Sequence, residues 1–129
     1  MKNKFCKEER LCNRKTIDFL FTGKDKITFT EFPFMVIAKE SVNDDQKFPA
    51  QMMVSVSKRK IRLAVNRNLM KRRMKEAYRL HKNEFYDSLK SQNKGLILCF
   101  IFLGNKPAPY ELIEQKIIVL LNCLTEQNV

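Results

Sequence analysis

Between positions 58 and 82 the chain sets eleven Lys and Arg side chains against a single acid, Glu76. The whole chain carries 25 Lys and Arg against 14 Asp and Glu, so nearly all of its +11 excess lies in this stretch. Side chains of this kind neutralise charge on a polyanion, either a nucleic acid or an anionic membrane surface. Arginine offers a planar fork that can grip two phosphate oxygens, whereas lysine acts as a compact point charge. Placed at 100° per residue on a helix, Asn68, Lys71, Arg72, Lys75, Arg79 and Lys82 share one sector. Met70, Met74, Ala77, His81 and Phe85 share an adjoining one. The pattern predicts an apolar seam for the protein's interior beside a cationic ridge for something else.

A solvated helix face normally mixes signs and gains from Glu–Lys pairs four residues apart. This ridge repels itself, and a polyanion would supply the missing counter-charge. The candidates to meet it are Arg62, Arg67, Asn68, Lys71, Arg72, Lys75 and Arg79. Lys and Arg without Gln or Ser on the ridge favour phosphate contact over base readout. Affinity would then fall steeply with salt, with a log–log slope of roughly −0.9 per phosphate for duplex.

Other chemistry is poorly supplied. A stand-alone metal nuclease needs clustered carboxylates or histidines. The adjacent acids, Asp44–Asp45 and Glu8–Glu9, lie in polar contexts that solubility explains, and His81 is the sole histidine. Three glycines cannot build a phosphate-cradling loop. No catalytic residue and no protein-held metal are expected. Cys6, Cys12, Cys99 and Cys123 fit no zinc spacing and read as reduced thiols of a cytosolic protein. The start has no apolar run of the kind a signal peptide carries, and no stretch reaches the length of a membrane span.

The elements that must position the ridge follow from periodicity. Residues 8–22 have helical apolar spacing, with Gly23 as a stop. Residues 27–39 read as strand interrupted at Pro33, so either two strands meet there or the proline sits on an edge. Residues 41–49 form a polar loop, and residues 51–57 alternate as another strand. The basic helix spans about 63–89. The apolar run 96–103, between Gly95 and Gly104, is a strand buried on both faces. After Pro107 and Pro109, residues 110–126 form an amphipathic helix. A strand, a helix and a returning buried strand predict a mixed sheet with helices packed on it, in a single domain over 1–129. The termini, about 1–5 and 125–129, are expected to be flexible.

The stretch SVSKRKIRLAVNRNLMKRRMKEAYRLHK resembles the signature of the protein subunit of bacterial ribonuclease P. The matching residues are Ser55, Val56, Ser57 and Lys58, then Ala64 and Val65, Arg67 and Asn68, and Lys71 and Arg72. Glu9, Arg10 and Leu11, with Phe21 ten residues on, resemble the family's opening. Two positions depart from the pattern. Leu69 stands where the family has a second arginine, with Arg73 one turn along as the nearest substitute. Ile17 stands where the first helix usually carries an aromatic.

The resemblance implies an α+β fold of order αβββαβα, like the second domain of ribosomal protein S5. It also implies a catalytic RNA subunit that uses Mg²⁺ to remove the 5′ leader of precursor tRNA. The protein would be the non-catalytic component, bound one-to-one to ribonuclease P RNA, cytoplasmic and away from membranes. The Arg-Asn helix would bind the RNA subunit, and a cleft would hold the single-stranded leader. Phe21, Phe34, Lys58 and Arg59 are the expected leader contacts, because aromatic stacking beside positive charge holds single strands. Phe19, Phe29 and Phe32 are further aromatic candidates in the same region. Two other readings compete: a general RNA-binding or ribosome-associated protein of this fold, and a DNA-binding regulator using the basic helix.

Overall fold

A computed structural model describes residues 9–11, 14–22, 26–40, 49–92 and 95–127. Its elements are α1 (Arg14–Phe21), β1 (Ile27–Glu31), β2 (Phe34–Glu40), β3 (Ala50–Val56), α2 (Ala64–Ser91), β4 (Leu96–Phe102) and α3 (Tyr110–Gln127). The expected order αβββαβα is therefore realised. The four strands form one sheet in the order β1-β2-β4-β3, with β3 and β4 parallel and the other pairs antiparallel. Two strands do meet at Pro33: Phe32 and Pro33 form the turn of the β1–β2 hairpin, where proline's missing N–H breaks no ladder bond.

The β4 run is buried along nearly its whole length because it is an inner strand, covered on both faces. One face carries Val36, Met52, Val54, Leu98 and Phe100 against α2 and α3, and this is the main core. The fully buried α2 side chains Met70, Met74, Ala77, Tyr78, Phe85 and Leu89 fill it from above. Each large apolar side chain so buried contributes roughly 1.5–3 kcal/mol. The other face carries Ile37, Ile97 and Cys99, and among the described residues the short helix α1 and Leu11 pack on it. Burial pushes the Cys99 thiol up to about 12, so it packs as a small apolar residue.

Two expectations change. The first helix begins at Arg14 rather than near residue 8. Residues 9–11 instead run along β3: Arg10 bridges Met52 in parallel, and the Leu11 N–H donates to the Met52 carbonyl at 3.0 Å. The physical reason is that β3 is an edge strand whose outer backbone groups need partners. Glu9 also departs from its solvated reading, being 1% exposed. At the other end, α3 runs through Gln127. The loop 41–48 and Cys6, Cys12, Asp44 and Asp45 lie outside the described residues.

Candidate nucleic-acid interface

At 1.5 Å per residue, the 28 residues of α2 make a rod about 42 Å long. Its start is poorly terminated for a free helix. Leu63 occupies the N-cap with no side-chain cap bond, and the first turn holds no acid. Helix N-termini carry partial positive charge and unpaired N–H groups, so this end favours an anion. Leu63 and Val65 flank it, exposed to 65% and 76%.

The link from β3 into α2 is held from within. The Ser57 hydroxyl oxygen accepts from the Arg59 and Lys60 N–H groups at 3.2 and 3.4 Å. Lys60 Nζ donates to the Leu103 carbonyl at 2.8 Å, fixing the link to the end of β4. Lys58 and Arg59 are left exposed at the tip of this turn. Arg67 Nη1 donates to the carbonyls of Ile61 at 2.9 Å and Arg62 at 2.7 Å. That bond set sutures the helix start and fixes the guanidinium's position.

Along the ridge, Arg62, Asn68, Arg72 and Lys75 are exposed, and Lys71 is half-buried. Arg79 is half-buried and paired with Glu76 through its Nε at 3.0 Å. The Arg79 hydrogen bond holds the Glu76 carboxyl below the usual carboxylate range. Arg73, the nearest arginine to position 69, donates from its Nη1 to the Ala108 carbonyl at 2.6 Å and ties α2 to the β4–α3 connection. Leu69 itself is half-buried.

The second half of the ridge is not a surface. Lys82 is 3% exposed and its Nζ donates to Glu9 Oε2. The Tyr86 hydroxyl donates to the same oxygen at 2.7 Å, and the Tyr78 hydroxyl donates to that of Tyr86 at 2.9 Å. The segment 9–11 thus covers the cationic sector beyond Arg79. His81, placed in the apolar seam by its spacing, is half-buried with its Nε2 2.9 Å from Glu114 Oε2 of α3.

The sheet face under α1 is the other candidate surface. Lys39 fixes α1 there: its Nζ donates to the Phe19 and Thr22 carbonyls at 3.1 and 3.0 Å and lies 3.7 Å from the Phe19 ring centre. Those carbonyls belong to the helix end, which has no basic residue of its own. Phe21, 39% exposed, follows at that end. Between it and the Lys58–Arg59 turn the face shows half-buried Met35, Met53, Ser55 and Ile101. In register, Ile101 pairs with both Met35 and Ser55, so the three cross the sheet as one row.

Phe34 is a correction. It is fully buried on the opposite face, its ring centre 5.1 Å from that of Phe102, and it presents nothing to a strand in the cleft. Phe19 lies beneath Lys39, Phe29 packs toward the main core, and Phe32 sits 71% exposed at the hairpin tip. Met35, Ser55 and Ile101 were missed from sequence because face assignment needs the strand register. Among the described residues no group of three or more His, Cys, Asp or Glu could hold a metal ion. No helix there is long and apolar enough to cross a membrane.

A basic, uncapped helix start beside a cationic ridge, with an open sheet face below, defines an α+β protein built to hold a polyanion. Comparison with known proteins gives the particular family. The model of the family described as Ribonuclease P matches residues 5–124. The ribonuclease P protein components of two Porphyromonas gingivalis strains, ATCC 33277 and W83, are each 31% identical over 109 residues, covering 84% of this chain and 77% of theirs. The solved Staphylococcus aureus RNase P protein shares the fold at a TM-score of 0.67 with 19% identity, covering 89% of this chain and 94% of that one. The chain belongs to the ribonuclease P protein family. It is accordingly an RNA-binding protein subunit of that endoribonuclease, acting in tRNA 5′ maturation.

Proposed function

We propose that one copy of the chain binds one ribonuclease P RNA through the open half of the α2 ridge and holds the 5′ leader of precursor tRNA on the sheet face under α1. The observation that carries this reading is the run from Arg62 to Lys75, in which Arg62, Arg72 and Lys75 stand at the surface and Lys71 is half-exposed beside an uncapped helix start. A folded RNA supplies both the counter-charge along the ridge and the anion at that start.

The leader path runs between Phe21 at the end of α1 and Lys58 with Arg59 at the turn after β3. The Met35, Ser55 and Ile101 row forms its floor. Phe21 offers an exposed ring for stacking, and the turn offers two cations for the leader's phosphates. In this reading the Mg²⁺ used in cleavage is held by the RNA subunit. The complex works in the cytoplasm.

Reconstitution tests this. With its cognate RNA at low Mg²⁺, the protein is expected to raise the rate of leader removal from precursor tRNA, and alone to cleave nothing. A rate unchanged by the protein, or cleavage by the protein alone, would contradict the reading.

A further inference from the structure

A cavity of about 170 Å³ opens between the segment at residues 9–11, β3 and α2. Its lining includes three cations from two separate parts of the chain: Arg10, and Lys71 with Lys75 from α2. Lys71 and Lys75 are four apart on the helix, a like-charge spacing that costs stability when left alone. The fold adds a third cation to them, and no acid stands among the described residues lining the cavity. Leu11, Met52, Met53 and Val54 complete the lining.

The placement of Arg10 is fixed from both sides. Glu9 is held in the buried ion pair with Lys82, and the Leu11 N–H is held by the Met52 carbonyl. Between these anchors the Arg10 backbone bridges Met52, and the side chain stays exposed beside α2. A flexible terminal arginine would lose more conformational entropy on binding than one set in place beforehand. We infer that Arg10, Lys71 and Lys75 form a single phosphate-binding pocket, and that Arg10 carries the RNA-subunit interface off the helix onto the N-terminal segment. The inference rests on the reading that α2 binds ribonuclease P RNA, and adds to it a contact from outside the helix. The cavity exceeds several times the roughly 30 Å³ that one water takes up in the liquid, leaving room for a phosphate group.

The test is filter binding of the full-length protein to its cognate ribonuclease P RNA across a salt series. Arg10→Ala should weaken binding roughly three- to tenfold and flatten the log–log salt slope by about 0.7–0.9, the loss of one phosphate contact. Arg10→Lys, which keeps the charge, should recover most of the slope. The Arg10→Ala and Lys71→Ala losses should not add, because both residues serve one anion. Wild-type affinity and slope for Arg10→Ala, with Lys71→Ala impaired, would overturn the inference and leave the helix reading intact. A loss shared in full by Arg10→Lys, or one seen only when precursor tRNA is bound, would also overturn it. If Lys71→Ala and Arg72→Ala bind like wild type as well, the helix reading itself fails.

Discussion

Lys82 of α2 turns away from the cationic ridge and donates to Glu9, a residue 73 positions earlier in the chain. Both side chains are almost completely buried, and Tyr86 donates to the same carboxylate at 2.7 Å. This contact divides α2 into an open cationic half and a covered half. It also fixes the chain just before α1, which makes it a determinant of where the cleft's wall stands.

Removing one partner of a buried ion pair strands the other charge, at a cost of about 3–5 kcal/mol. Glu9→Gln is therefore expected to lower stability by an amount in that range, measured by urea unfolding. Replacing both partners, as Glu9→Leu with Lys82→Met, should recover much of the loss, since no buried charge remains. A Glu9→Gln midpoint equal to wild type would show that the pair holds nothing together.

Lys39 anchors the end of α1 through two carbonyls and the Phe19 ring. Lys39→Met removes both hydrogen bonds, and a loss of roughly 1–3 kcal/mol is expected from carbonyls left unpaired. The functional effect should fall on leader recognition, through displacement of Phe21. The holoenzyme's preference for precursor over mature tRNA should narrow, while affinity for the RNA subunit stays constant. Equal losses in both affinities would show a general unfolding instead.

Phe21 itself supplies a sharper contrast with Phe34. Phe21→Ala should weaken precursor tRNA binding several-fold, in line with roughly 1–3 kcal/mol per stacked base, and leave mature tRNA binding and the melting temperature nearly unchanged. Phe34→Ala should instead cost about 3–5 kcal/mol of stability, because it opens a cavity in the main core. Binding and thermal melts of the two variants check the assignment. Equal effects on precursor and mature tRNA would remove Phe21 from the leader path.

Glu76 is the acid within the ridge, and Arg79 holds its carboxyl below the ordinary range. A depressed folded pKa gives a contribution present above the unfolded value and lost as pH falls through the folded one. Glu76 is therefore ionised throughout the neutral range, where it offsets one ridge cation. Glu76→Gln is expected to tighten RNA-subunit binding roughly two- to fivefold at low salt, with the gain fading as salt screens it. Weaker binding would place Arg79's pairing with Glu76 among the features the RNA needs.

The elements that bury or expose a whole face were legible in the sequence. The length and flanking glycines of the apolar run at 96–103 favoured a buried strand, and the heavy charge on one side of 64–82 favoured an outward helix face. What the residues concealed were pairings across the fold. The helical wheel puts Lys82 among the ridge cations, because a wheel contains one helix and no neighbour to cover it. Glu9 looked solvated for the same reason: its partner is remote in sequence. Helical spacing carried the first helix too far toward the N-terminus, since it gave no sign that residues 9–11 would cap an open sheet edge. Phe34 faced the wrong way because alternation tells that a strand has two faces, while register tells which is which.

The central claim is that Lys71, Arg72 and Lys75 bind the RNA subunit from a helix whose fold does not depend on them. Filter binding of the triple alanine variant to cognate ribonuclease P RNA, run beside a circular dichroism melt, tests it most directly. The account predicts a native melt with RNA affinity reduced by at least two orders of magnitude and a salt slope flatter by about 2–3. Wild-type affinity from a folded variant would contradict it.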